Sequence, residues 1–439
     1  MDRDAASYLR TLVYAALLGF PVAAAAVAFQ TAVHDVIHLT WEVVPGWLGE
    51  GEPTGWYVIL VPALGGLVVA AALRLPGHGG HTPLEGLGMG GVRPVDLTSV
   101  LAAALISLGA GLVLGPEAPL IALGLALGAV AVRVVTVGPT ESQLLVLAGA
   151  FAAIAALFGG PLVAAFLLFE VCAAAGMIPP GQIGQALLPG FVAAGTGALV
   201  FTGVDSWPGV HETSLALPPL PPYDTVRLTD LAWCILLSVV IAAGVVGIRH
   251  LAHELVERVP RRPELVLVLG GVLVGGSAVL FRAVADRPVD FVLFSGQSEL
   301  PAIVAESSAG VLFLLVLAKG LAYAISLGTG FRGGPVFPAI ALGVAVGVGA
   351  ADILPGLAST PAVAIGIAAG TAAVMRVPFT AVLLATLLIG SSAIDVAPVA
   401  VFAAATGWLV AVALPNPEDR KPPPLEAVAQ DVGGDARTA

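Results

Sequence analysis

The chain alternates long apolar blocks with short polar interruptions. The blocks run at about 12–38, 54–74, 98–136, 142–177, 180–202, 229–248, 264–290, 300–327, 334–350, 361–389 and 393–414. A membrane-crossing helix needs roughly 20 apolar residues, so several blocks exceed one crossing, and several contain Gly-Pro breaks. The pattern predicts an all-α integral membrane protein with paired, tilted and broken helices. A β-barrel would show short alternating segments, whereas 24–27 and 102–104 lie in unalternating apolar runs. Arg3 and Arg10 before the first block mimic a signal peptide, but its length and the segments that follow point to a retained first helix.

Composition agrees with a lipid solvent. Hydrophobic residues make 58% of the 439 positions and charged residues 11%, against about 25% charged in a soluble domain. With 54 glycines and 34 prolines, close helix packing and shielded helix breaks are both expected. The net charge of −11 owes much to loops and an acidic tail. It indicates no basic partner, and nothing resembles a nucleic-acid-binding patch. Cys172 and Cys234 fall in or beside apolar segments and read as small hydrophobes.

The expected division is a cytoplasmic segment at 1–11, a first membrane repeat at 12–202, a linker at 203–228, a second repeat at 229–414 and a polar tail at 415–439. The stretch 249–263, with Arg249, Arg258, Arg261 and Arg262, reads as a cytoplasmic loop, and the proline-rich linker suits the outside.

An internal repeat supports that division. Residues 115–128 read GPEAPLIALGLALG and residues 334–347 read GPVFPAIALGVAVG, with nine identities at an offset of 219. A weaker pair follows in the same order, FGGPLVAAFLL at 158–168 and MRVPFTAVLLA at 375–385. An odd number of crossings per half would invert the second copy relative to the first. A Gly-Pro opening a helix leaves free N–H groups and a positive dipole end. Two such starts meeting from opposite halves can bind an anion without Arg or Lys.

Glu117 stands two residues after Gly115 inside an apolar stretch, where a carboxylate is costly unless neutralised or hydrogen-bonded. It can accept the N–H groups of its own helix start and so occupy the place an anion would take. Glu170 is also deep, and reads either as a proton relay or as a carboxylate bound to a helix end. In the segment PGHGGHTPLEG, 76–86, His78, His81 and Glu85 invite a metal reading. Two imidazoles three apart form only a weak ligand set, so no metal or other cofactor is expected. The glycines suggest a backbone nest, with Thr82 or a free N–H on an anion path. No nucleophile lies beside a base, so no enzyme is expected. Trp41, Trp47 and Trp56 read as interface anchors. Lys319, Arg332 and Arg376 read either as vestibule charges or as snorkelling side chains. Asp395 reads as a helix cap.

These residues resemble a known family, the CLC chloride channels and chloride/proton antiporters, over most of the chain. Gly115, Pro116, Glu117, Ala118 and Pro119 are similar to its Gly-Lys/Arg-Glu-Gly-Pro motif, whose glutamate is the external gate. Gly80, His81, Thr82 and Pro83 resemble the Gly-Ser-Gly-Ile-Pro motif. Gly334, Pro335, Val336, Phe337 and Pro338 resemble the Gly-x-Phe-x-Pro motif. The resemblance implies inverted halves of tilted and broken helices, a homodimer in the cell membrane and one pathway per subunit. In the family the anion is held by helix starts, a serine and a tyrosine. Three departures stand out. Gly80 takes the serine's place, no tyrosine follows Tyr323, and Pro335 leaves Val336 and Phe337 as the backbone donors. Val171 occupies the place of the family's proton glutamate, with Glu170 just before it. The expected function is passage of a small inorganic anion, chloride first, through a channel-like or uncoupled pathway gated by Glu117. The alternative is chloride/proton antiport using Glu117 and Glu170.

Overall fold

The computed structural model describes residues 3–49, 51–86, 92–174, 183–204, 217–223, 225–258 and 262–414. The expected tail at 415–439 and much of the linker lie outside the described residues. Sixteen α-helices are found among those described. They are α1 (Arg3–His38), α2 (Val44–Trp47), α3 (Gly55–Ala72), α4 (Leu97–Gly109), α5 (Glu117–Val134), α6 (Pro139–Phe158), α7 (Pro161–Ala174) and α8 (Ile183–Val204). The second series is α9 (Leu228–Arg258), α10 (Pro263–Ala285), α11 (Leu300–Ala305), α12 (Ala309–Gly328), α13 (Val336–Ile353), α14 (Ser359–Met375), α15 (Pro378–Ile389) and α16 (Ala393–Ala413). Among the described residues, nine helical spans are long and apolar enough to cross a membrane. The over-long blocks divide as their breaks suggest: 98–136 into α4 and α5, 142–177 into α6 and α7, and 361–389 into α14 and α15.

The helix contacts come in matched pairs. α5 packs on α6 as α13 packs on α14, and α6 meets α8 as α14 meets α16. α1 touches α6 and α8 as α9 touches α14 and α16. α3 on α10 and α7 on α15 join the two sets. At the centre, Gly115 and Gly334 form an antiparallel bridge, so the two motif copies meet with opposed chain directions. This is the fold of two inverted halves.

Small residues let the halves close. In lipid, apolar surface gives helices no drive to associate, and close backbone approach must supply it. A methyl group built on Gly124 would collide with the carbonyl of Gly149, and one on Gly343 with that of Gly366. These are equivalent α5–α6 and α13–α14 crossings. Large apolar side chains such as Leu60, Leu67, Leu236 and Leu273 remain exposed, as lipid-facing surfaces require.

The break between α6 and α7 turns on Gly159 at φ +64°, and the equivalent break between α14 and α15 on Arg376 at φ +58°. Pro161 and Pro378 then open the next helices, where a missing N–H costs little. Arg376 caps the end of α14 and donates to the carbonyl of Ala411 (2.8 Å).

Four expectations need correction. The stretch 249–263 is not a loop throughout, because α9 runs on to Arg258, and Arg249 donates to the carbonyls of Val374 (2.8 Å) and Leu84 (3.1 Å). Trp41 is 5% exposed, donates to Gly109 O and packs on Tyr57 and Phe294, so it is core rather than an interface anchor. Lys319 is fully buried and does not snorkel. Asp395 lies in the first turn of α16, while Ser392 holds the cap position.

The paired glycine crossings predict that Gly124→Ala costs about 1–3 kcal/mol by overpacking. It should lower the apparent Tm of the purified protein. Gly276→Ala, where an added methyl meets nothing within 4 Å, should leave it unchanged.

Candidate functional site: a carboxylate between two helix starts

The two Gly-Pro motifs open α5 and α13 with Pro116 and Pro335 at the cap positions. Their glycines exchange hydrogen bonds, Gly115 N–H to Gly334 O (2.7 Å) and Gly334 N–H to Gly115 O (2.5 Å). Pro119 and Pro338 carry no N–H, and Leu120 N–H returns to Pro116 O (3.1 Å). The donors at the two starts are therefore the N–H groups of Glu117 and Ala118, and of Val336 and Phe337.

Glu117 is fully buried. Its Oε1 accepts the N–H of Phe337 at 2.9 Å, so the carboxylate of the first half caps the helix of the second. Sequence reasoning placed it on its own helix start and missed this crossing. Oε2 is buried without a hydrogen-bond partner. Cβ atoms built on Gly115 and Gly334 would both collide with this carboxylate. Glycine is needed at both positions to make room for it. Phe337 and Phe158 close the site with rings 5.7 Å apart.

A cavity lies beside the start of α5, and Glu117, Gly334, Val336 and Phe337 are not among its lining residues. It is lined by Gly79, Gly80, His81, Val100, Ala118, Pro119, Arg332 and Gly333, and continues into a mouth lined by Gly77, Gly80, His81, Glu85 and Asp96. Gly80, His81 and Ala118 are thus brought together. Thr82 is not among the lining residues. Its N–H donates to Glu85 Oε2 (3.1 Å) in a reciprocal cap of the short turn at 83–85. The nest expected of the glycines is also filled, because Gly80 N–H goes to Gly77 O (2.8 Å) and Gly79 N–H to Ser99 Oγ (3.2 Å).

The loop accounts for the missing serine. Gly77, His78, Gly79 and Gly80 all lie at positive φ, from +49° to +90°. A Cβ on Gly80, at φ +69°, would also stand 2.9 Å from Val100 Cγ2. A side chain there is excluded by conformation and by space.

Arg332 is the residue whose part sequence left open. It lines the cavity and donates to the carbonyls of Gly79 (3.0 Å), Gly330 (2.9 Å) and His78 (3.2 Å). Lys319 binds a different backbone segment. Its Nζ reaches the carbonyls of Phe291, Val292, Leu293 and Phe294 at 3.0–3.3 Å. Glu299 is the first charge acting on it, and Oε2 of that glutamate is buried without a hydrogen bond.

Glu170 is 9% exposed and stands on α7 facing the start of α15. It accepts the N–H of Phe379 (2.9 Å), the N–H of Thr380 (2.7 Å) and the Thr380 hydroxyl (2.5 Å). Of its two readings, the geometry matches the carboxylate bound to a helix end. Val171 is half-buried and packs on the core.

Removing a buried charge from its partner is expensive, so Lys319→Met should destabilise the protein by about 3–5 kcal/mol. Adding Glu299→Gln should recover part of that loss, read as the yield and apparent Tm of folded protein.

Comparison with known proteins agrees with this architecture. The putative ion-transport protein YfeO of Escherichia coli O17:K52:H18 (strain UMN026 / ExPEC) is 32% identical over 329 residues, 73% of this chain and 74% of the relative. The corresponding protein of Escherichia fergusonii is 31% identical over 328 residues, 73% of each chain. Among solved structures, a slow cyanobacterial Cl-/H+ antiporter superposes with a TM-score of 0.76 at 20% identity, covering 98% of this chain and 99% of the other. A CLC-type fluoride/proton antiporter gives 0.70 at 17% identity, over 91% and 95%. At these identities the likeness shows the fold. The family model described as voltage gated chloride channel matches residues 77–411, so the chain belongs to that family of transporters and channels.

Proposed function

We propose that this protein carries a small inorganic anion, chloride first, through a membrane along a path formed by the cavity between His81 and the start of α5 and by the facing starts of α5 and α13. Glu117 is its gate. The observation that carries this reading is the Glu117 Oε1–Phe337 N–H hydrogen bond, because a carboxylate seated on a helix start holds the place an anion would take. When Glu117 leaves, the N–H groups of Val336, Phe337 and Ala118 become available to the anion. Arg332 supplies positive charge to the cavity wall.

Uncoupled movement is the preferred form. Val171 carries no proton, and Glu170 is bound by three hydrogen bonds at the start of α15. Two observations favour the second reading, proton-coupled exchange. Oε2 of Glu117 has no partner, which makes it a place for a proton, and the superposed solved structures are described as chloride/proton and fluoride/proton antiporters.

The working unit in this reading is a homodimer in the cell membrane with one pathway per subunit. Each chain is organised as repeats at 12–202 and 229–414 joined by 203–228. No cofactor takes part, and the anion is the substrate.

Purified protein in liposomes should release chloride, and Glu117→Ala should raise the rate about tenfold or more by removing the plug. Anion and proton fluxes recorded together, with chloride, nitrate and fluoride in turn, separate the two forms. An obligatory proton flux opposed to the anion, abolished by Glu117→Gln, would reject uncoupled movement. Absence of any anion flux from both wild type and Glu117→Ala would reject the pathway.

A further inference from the structure

Helix α12 carries three fully buried polar side chains, Lys319, Tyr323 and Ser326. Their spacings of four and three residues put them on one face. Each grips a different backbone segment around Glu117. Lys319 holds the carbonyls of 291–294, and Phe294 N–H in turn donates to Gly111 O (3.1 Å). Ser326 Oγ accepts the N–H of Val113 (3.1 Å). Tyr323 donates its hydroxyl to Pro335 O (2.7 Å). One face therefore fixes the segment leading into the first motif and the residue that opens the second.

The tyrosine bond has a specific geometric effect. A peptide unit is planar, so the carbonyl of Pro335 and the N–H of Val336 share one rigid plane and point in opposite senses. Anchoring that oxygen sets the direction of the Val336 N–H. The Phe337 N–H follows in the same helical turn, and it is the group that donates to Glu117. Tyr323 is 0% exposed, where a phenylalanine would fill nearly the same volume without a polar atom to satisfy. The hydroxyl is thus explained by the carbonyl it holds.

We propose that Tyr323 is a positioning residue for anion binding, orienting the N–H groups of Val336 and Phe337 toward the place the Glu117 carboxylate holds in this structure. The inference rests on the anion-pathway reading above and names a residue that acts on its donors.

The test uses Glu117→Ala, in which the anion meets those donors directly. Anion flux from liposomes is measured against chloride concentration, with and without Tyr323→Phe. The expected result is a half-saturating chloride concentration raised about three- to tenfold, the effect of one misdirected donor set, with flux at saturation retained. A loss of saturating flux alone, with half-saturation unmoved, overturns the positioning role while leaving the pathway intact. Flux from Glu117→Ala no greater than from empty liposomes removes the pathway, and this inference with it. Should Tyr323→Phe fail to fold, 3-fluorotyrosine in place of tyrosine keeps the ring and makes the hydroxyl a stronger donor. It must then shift half-saturation, and an unchanged value overturns the proposal.

Discussion

A carboxylate buried at membrane depth has to be satisfied by something, and here a donor comes from the other half of the chain. The hydrogen bond from Phe337 N–H to Glu117 is possible only where two helix starts face each other at close range. That range is held by the reciprocal bonds of Gly115 and Gly334, and both residues must lack a side chain for the carboxylate to enter. The glycine crossings of α5 on α6 and of α13 on α14 hold the two helices that carry the starts. Packing far from Glu117 therefore serves the same constraint, the separation of two backbone ends.

The polar side chains that support this arrangement act mainly on backbone. Arg332 and Lys319 bind carbonyls, Tyr323 and Ser326 fix single peptide groups, and Glu170 caps a helix. In lipid each unsatisfied carbonyl or N–H is costly, and a chain with this many helix breaks exposes many of them. Charged residues in the interior are thus used to stabilise irregular backbone, while the place of the Glu117 carboxylate is bordered by backbone N–H groups and glycines.

Much of this was legible from the residues. The duplicated Gly-Pro segments announced two related halves, the family resemblance implied their inversion, and the isolation of Glu117 in an apolar stretch marked it out. Long-range partners were not legible. Nothing near Glu117 in sequence names Phe337, 220 positions away. Trp41 looked like an interface residue because polar residues follow it, yet it lies in a short π-helical stretch between α1 and α2 and packs in the core against Phe294. Lys319 carried no sign of its four carbonyl partners, because those lie in a segment whose irregularity shows only once folded. Gly80 read as a lost hydroxyl, and only its positive φ and the nearness of Val100 explain why no hydroxyl can stand there.

The bridge between Gly115 and Gly334 also bears on how such a chain can arise. At an offset of 219, Glu117 corresponds to Val336. Two identical half-length chains meeting through this bridge would each bring the same residue to the same cradle. Glutamate on both would crowd two like charges into a space that holds one carboxylate, and valine on both would leave the helix start without a carboxylate. Fusing the copies into one polypeptide lets the two positions diverge. One side then supplies the acid and the other the helix start that receives it. The departure from symmetry at Glu117 and Val336 falls at the point where symmetry could not have worked.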